Sequence, residues 1–151
     1  MDKLHYTQKQ LFEIQITNPN IVGLKDNEIF VFGSNEAGKH GKGAAKQALK
    51  WGAIYYNPSG LQGCTYALPT KNKYMKTLSI LKIKECVNEL LETVKLNPYL
   101  HFLITEIGCG LAGYKPSEIA PLFVDFIGIK NISMPEKFID VLKSELNILN
   151  I

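Results

Sequence analysis

The sequence predicts a layered α/β fold with parallel strand pairs, and three observations carry that prediction. Short apolar runs alternate along the chain with segments of helical period. The run Ile29-Phe30-Val31-Phe32 is apolar without interruption, as expected of a strand covered on both faces. The order strand, glycine-rich loop, helix occurs twice, once over residues 28–51 and again from His101 to a helix opening at Lys115-Pro116. In sheets of this class ligands sit at the carboxyl ends of strands, where both loops must fall.

Residues 1–26 read as an N-terminal extension or an edge strand of one domain spanning 1–151. Leu11-Phe12-Glu13-Ile14-Gln15-Ile16 reads as an alternating strand and residues 17–20 as a turn. After the strand ending near Asn35, residues 43–51 are rich in Ala and Lys and suit a helix. Lys42, Lys46 and Lys50 share one face of it and read as a solvated surface. Trp51 reads as core or rim packing. Residues 57–60, Asn-Pro-Ser-Gly, are a plain turn or a substrate loop. Residues 65–69 read as a short strand with Pro69 near an end. Ile80, Ile83, Val87, Leu90 and Val94 predict a long helix, stopped by Asn97-Pro98. A strand over 101–106 follows. Pro116 suits a first helical turn, and Ile119, Leu122, Phe123 and Phe126 extend that helix toward Gly128. Residues 131–134 read as a strand. Pro135 opens a last helix with Phe138, Val141 and Leu142 inward.

A chain of 151 residues, 46% hydrophobic, is enough for one domain with its own core. The net charge of +3 is too mild to demand nucleic acid. Cys64, Cys86 and Cys109 are odd in number and lack metal-ligand spacing, so they read as reduced thiols of a cytoplasmic protein. No metal and no cofactor is expected. The first residues show no signal-peptide pattern. No apolar run approaches the roughly 20 residues that a membrane span needs.

Glycine lets backbone N–H groups approach a ligand closely, so two such loops suggest a ligand carrying phosphates. Gly33 to Lys39 matches G-x-x-x-x-G-K, the start of a P-loop. The match fails at His40, where a Ser or Thr should hold magnesium, and at the late Gly41 and Gly43. Gly108, Gly110 and Gly113 form G-x-G-x-x-G, but no acidic residue ends a second strand about 20 residues on, as a dinucleotide site requires.

Gly33, Ser34, Asn35, Gly38, Gly41 and Gly43, closed by Ala44-Ala45, resemble the ligand loop of macrodomains. The run Gly108, Cys109, Gly110, Leu111, Ala112, Gly113 and Tyr114 resembles their diphosphate loop. With Gly60-Leu61-Gln62-Gly63 and residues 66–70, the likeness narrows to a small bacterial and phage branch. The resemblance implies a three-layer α/β/α sandwich with a mixed, largely parallel sheet. It implies ADP-ribose or a related NAD-derived nucleotide as ligand. Asn35 then matches the asparagine at the distal ribose, with Gly41 and Gly43 facing the same ribose and phosphate. The backbone of residues 110–113 matches the diphosphate cradle, and Tyr114 the aromatic packing near the ribose. The aspartate that bonds adenine in many macrodomains has no counterpart in Asp26 or Glu28, so a variant of ADP-ribose also fits.

Three side chains are candidates for chemistry. Asn35 heads the first loop. His40 either positions a water or phosphate or is an exposed loop residue. Glu106 is either a general base or a ligand for a ribose hydroxyl or backbone N–H. Cys109 reads as a small residue lining the loop rather than a nucleophile. Hydrolysis at the distal ribose C1″ is one expectation. A non-catalytic reader or sequestering protein is the other. The cluster Lys71, Lys73, Lys76, Lys82 and Lys84 contains only Tyr74 as an aromatic, and so reads as a solvated face rather than a nucleic-acid platform.

Overall fold

A computed structural model describes residues 5–145 and 147–149. The elements are β1 (His5–Thr7), α1 (Gln8–Phe12), β2 (Gln15–Ile16), β3 (Glu28–Asn35), α2 (Gly43–Ala48), β4 (Gly60–Gln62), β5 (Thr65–Lys71), α3 (Ile80–Leu96), β6 (His101–Ile104), α4 (Pro116–Ile119), β7 (Ile132–Met134), α5 (Glu136–Glu145) and β8 (Asn147–Leu149). Two 3-10 segments, Leu49–Trp51 and Ala120–Phe126, extend α2 and α4.

Six strands form the main sheet in the order β2-β7-β6-β3-β5-β4. All neighbours are parallel except β4 and β5. The sheet is therefore mixed and largely parallel, as expected. β1 and β8 pair separately.

The apolar run of β3 explains the layering. Ile29 and Val31 point into a large core with Val87, Leu90 and Val94 of α3 and with Phe102 and Ile104 of β6. Phe30 and Phe32 point the other way, onto Ala45 and Ala48 of α2 and Ala53. Successive side chains of a strand face opposite sides, so an unbroken apolar run needs a cover on each. The alanines of α2 let that helix sit close to the strand from whose end its loop departs. Trp51 closes this smaller core, edge-on to Phe30 at 5.0 Å. Lys42, Lys46 and Lys50 are all exposed, as a solvated face should be.

Two local expectations are overturned. Residues 11–12 belong to α1 rather than to a strand. Thr7 accepts from Gln10 N while the Gln10 side chain accepts from Thr7 N, a reciprocal cap that starts a helix. Leu11 and Ile14, three apart, are then buried together. The helix expected to run from Pro116 to Phe126 keeps its α geometry only to Ile119. Pro121 has no N–H for a bond to the preceding turn, and the chain tightens into 3-10 geometry. Phe123 and Phe126 are buried nonetheless.

β3 lies between β6 and β5, both parallel to it, so three carboxyl ends open on one edge. The loops at 36–42, 72–79 and 105–115 all leave from there. Pairing shifts by one residue after Ser34, and Asn35 meets Lys71 instead of Thr70. The skipped Thr70 donates its hydroxyl to Ser34 O at 3.2 Å.

Candidate functional site

A cleft of about 530 Å³ opens at this edge. Its walls are the end of β3 (Gly33, Ser34, Asn35), the first loop and α2 start (Lys39 and residues 41–45), and the second loop (residues 107, 108 and 110–112). Tyr55, Thr70, Lys71, Met75, Thr105 and Glu106 complete it. Among the described residues, the backbone N–H groups of Gly108, Gly110, Leu111 and Ala112 have no protein acceptor, and neither do those of Gly41, Lys42 and Gly43. Orphan donors on two facing loops favour an anion. Lys39, Lys42 and Lys71 add cationic side chains to the same walls, against the single carboxylate of Glu106.

Each loop is held in shape by its own contacts. Asn35 is buried, and its side-chain amide spans Lys39, with Nδ2 donating to the carbonyl at 2.8 Å and Oδ1 accepting from N–H at 3.0 Å. Gly38 has φ +67°, and a Cβ there would lie 2.4 Å from the Tyr56 carbonyl carbon. Ser34 donates its hydroxyl to Pro58 O. In the second loop, Gly108 has φ +76° with Ile119 pressed against its missing Cβ. Gly113 N bonds Gly110 O at 3.0 Å, and Tyr114 N bonds Gly108 O at 2.9 Å.

The residues expected at the site divide in two. Gly33, Ser34, Asn35, Gly41, Gly43, Glu106, Gly108, Gly110, Leu111 and Ala112 line the cleft together. Gly38, His40, Cys109, Gly113 and Tyr114 do not line it. His40 is fully buried, not an exposed loop residue. Its Nε2 donates to Asn57 O at 3.0 Å, and its ring stands edge-on to Phe32 and Tyr55. Tyr114 packs on the large core and donates its hydroxyl to Leu78 O at 2.7 Å. Cys109 also packs on that core, and burial together with Glu106 and Glu118 pushes its thiol up to about 11. Such a thiol is protonated near neutral pH and is a poor nucleophile.

Sequence reasoning left Tyr55, Thr70, Lys71 and Met75 unassigned to the site. Thr70 and Lys71 reach it from the end of β5, Met75 from the segment after it and Tyr55 from the segment before β4, where no local motif marks them. Lys39 carried a signal, the false P-loop match.

A second cavity, of about 550 Å³, shares Ala44, Thr105 and Glu106 with the first. Phe30, Ile16, Ile21 and Pro135 give it apolar walls, while Thr17, Asn18, Gln47, Glu136 and Asp140 supply polar groups. Thr17 is 5% exposed, and its hydroxyl has no partner among the described residues. Lys137 of α5 lies 3.6 Å from Glu106 where the two cavities meet. No group of three or more His, Cys, Asp or Glu among the described residues is placed to hold a metal ion.

The architecture matches the macrodomain of Mycobacterium tuberculosis DarG with a TM-score of 0.58, over 81% of this chain and 95% of that one, at 16% sequence identity. The fold is macrodomain-like. Two structures from Bacteroides thetaiotaomicron share this macrodomain-like architecture at a TM-score of 0.51. One is a protein of unknown function, 15% identical over 89% of this chain and 96% of its own. The other is 13% identical over 89% and 97%. No protein-family model and no curated protein matches the sequence. Among the described residues, no helix is long and apolar enough to cross a membrane.

Proposed function

We propose that this macrodomain-like protein binds ADP-ribose or a related NAD-derived nucleotide. The observation that carries the reading is the pair of facing glycine loops, with seven backbone N–H groups that have no acceptor among the described residues and three lysines on the walls of one cleft. In this arrangement the amides of Gly108, Gly110, Leu111 and Ala112 hold the diphosphate, helped by Lys39, Lys42 and Lys71. The distal ribose lies against Asn35 and the 41–43 loop. The base lies past Glu106 in the second cavity, where Phe30 and the proline and isoleucine walls offer apolar surface and Thr17 an unused hydroxyl.

The same arrangement favours binding over turnover. Hydrolysis at C1″ needs a group that handles a proton beside the distal ribose. His40 is buried beneath Tyr55 and committed to Asn57 O. Glu106 stands at the junction with the base cavity and faces Lys137. Fixed amide dipoles bind a diphosphate well in ground state and transition state alike, which gives affinity without rate. A reader or sequestering protein for a nucleotide signal fits these walls.

Isothermal titration with ADP-ribose, NAD and ADP tests the binding. Saturable heat with ADP-ribose is the expected result, and no heat at millimolar ligand overturns the reading. Incubation with ADP-ribosylated protein tests turnover. The reader role predicts that the modification is returned intact, and release of free ADP-ribose that is lost in Glu106→Gln would make the protein a hydrolase.

A further inference from the structure

The two cavities that meet at Glu106 differ in charge. Lys39, Lys42 and Lys71 line the glycine-loop cleft, with Glu106 as its one carboxylate. The second cavity reverses the balance, setting Glu106, Glu136 and Asp140 against Lys137. Among the described residues, neither Glu136 nor Asp140 has an ion-pair partner. Helix α5 begins at this cavity, and the partial positive charge of a helix start attracts anions. Here Glu136 occupies the first turn and answers that charge itself. The same walls carry the buried hydroxyl of Thr17, unpartnered among the described residues. That orphan group distinguishes a cavity with a polar ligand from a bare acidic surface.

A ligand that spans both cavities must pass their junction. Ala44, Thr105 and Glu106 are common to both sets of walls. Ala44 has no polar side chain. Thr105 donates its hydroxyl to Val31 O at 2.7 Å, so its proton is committed. Glu106 is left as the side chain able to read the ligand at the crossing, and its backbone is fixed. Ile107 N bonds Thr105 O at 2.7 Å, and Cys109 N bonds Glu106 O at 3.1 Å. The Glu106 carboxylate lies 3.6 Å from Lys137 Nζ, longer than a hydrogen bond, which leaves its oxygens open to other donors.

We propose that Glu106 reads the ribose between base and diphosphate, accepting from its 2′- and 3′-hydroxyls, and that the acid-rich cavity selects against a 2′-phosphate on that ribose; both clauses rest on the nucleotide reading above. The ligand class narrows to nucleotides derived from NAD, as against those derived from NADP. A ribose diol presents two donors, and a carboxylate is an acceptor-only group. A phosphate at the same oxygen would instead meet three carboxylates and one ammonium already facing Glu106. Dinucleotide sites make this choice with an acid at the 2′-hydroxyl, about 20 residues after their glycines. Here the acid stands just ahead of Gly108.

Isothermal titration with ADP-ribose, its 2′-deoxy and 2′-O-methyl forms and its 2′-phosphate tests this. ADP-ribose should bind about 30-fold more tightly than the 2′-phosphate at low salt, since like charges are being brought together. That gap should shrink about threefold between about 20 mM and about 500 mM salt, because the carboxylates are exposed to screening. The 2′-deoxy form should bind about tenfold more weakly than ADP-ribose, through loss of one hydrogen bond to a charged group. The neutral 2′-O-methyl form should lose about as much as the 2′-deoxy form, which separates charge from bulk. Glu106→Gln removes the charge and releases Lys137, and should bring ADP-ribose and its 2′-phosphate within about threefold of each other. Asp140→Asn, on the exposed face of α5, should narrow the gap about threefold, and Lys137→Ala should widen it by a similar factor. A purely structural role for Glu106 would weaken every ligand alike and leave the ratio intact. Equal affinity for ADP-ribose and its 2′-phosphate overturns the proposal. So does a 2′-O-methyl penalty as large as that of the phosphate, or a ratio unchanged in both Glu106→Gln and Asp140→Asn. In each of these outcomes ADP-ribose still binds and the nucleotide reading stands, whereas no heat with any of the four ligands removes both.

Discussion

The side-chain amide of Asn35 holds both backbone groups of Lys39, accepting its N–H and donating to its carbonyl. The bonds close the Asn35–Lys39 turn from inside and leave the outer amides at 41–43 free for a ligand. Asn35 thus shapes the first loop even before anything binds. Asn35→Ala should lower stability by about 1–2 kcal/mol, the loss of two half-buried hydrogen bonds, measured by urea unfolding. ADP-ribose affinity should fall about tenfold, because the freed loop must be ordered on binding. Asn35→Asp keeps the acceptor for Lys39 N but sets a carboxylate against Lys39 O, and should not restore binding. Full affinity in Asn35→Ala would show that the turn holds without the clasp.

Gly38 and Gly110 should respond to substitution in opposite ways. A Cβ on Gly38 would meet the Tyr56 backbone at 2.4 to 2.6 Å, and its φ is +67°. Gly38→Ala is expected to cost about 2–4 kcal/mol, from backbone strain added to overpacking. Gly110 has open space at that position and lines the cleft. Gly110→Val should unfold within about 0.5 kcal/mol of the parent, as a surface change does, yet fail to bind ADP-ribose. Gly113→Val is expected to give a mixed result, since φ there is +88° although the space is open. Equal stability losses at 38 and 110 would contradict this division.

The legibility of each element follows from how local its cause is. Ile29-Phe30-Val31-Phe32 announces a strand covered on both faces, because the run is short, wholly β-branched or aromatic, and stopped by Gly33. The glycine loops were legible for the same reason, since positive φ at Gly38 and Gly108 is a local demand. The sequence misleads at α1 because Phe12, Ile14 and Ile16 alternate as a strand would, while the helical spacing of Leu11 and Ile14 is a single pair. The Thr7–Gln10 cap carried the deciding signal. The helix after Pro116 had its apolar positions right and its geometry wrong, for Pro121 acts on the hydrogen-bond ladder and not on the pattern. His40 looked like a loop residue in sequence, and only the packing of Phe32, Tyr55 and Asn57 around it makes it a buried brace. Lys71 reaches the cleft through the pairing of β5 with β3, and Tyr55 through the bond from Tyr56 N to Gly38 O and its contact with His40, long-range facts that no local pattern records.

The thiol of Cys109 sets an alkaline limit. Burial, aided by Glu106 and Glu118, raises it from 9.0 to about 11 in the folded protein. The raised value means the fold holds a proton that the unfolded chain has released. Its contribution is therefore complete below about pH 9 and is lost as pH rises toward 11. Unfolding followed across that window should show stability falling with pH, with a shallower fall in Cys109→Ala. Alkylation at pH 7.5 should modify exposed Cys64 well before Cys109. Rapid labelling of Cys109 in the folded protein would show that its thiolate is accessible after all.

Thr17 offers the sharpest test of where the base lies. Its hydroxyl is buried, unpartnered among the described residues, and borne by a residue lining the second cavity. A buried hydroxyl without a protein partner costs free energy that a hydrogen bond to a ligand recovers. Thr17→Val keeps the shape and removes the polar atom. The empty protein should then gain about 1 kcal/mol of stability, because an unsatisfied group has gone. ADP-ribose affinity should drop about tenfold, the loss of one hydrogen bond to a buried hydroxyl. A ligand that ends at the diphosphate, such as ribose 5-diphosphate, never reaches the second cavity and should bind both proteins equally. Calorimetry with the two ligands on the two proteins closes the cycle. If Thr17→Val weakens both ligands alike, the hydroxyl acts through the fold and the base does not contact Thr17.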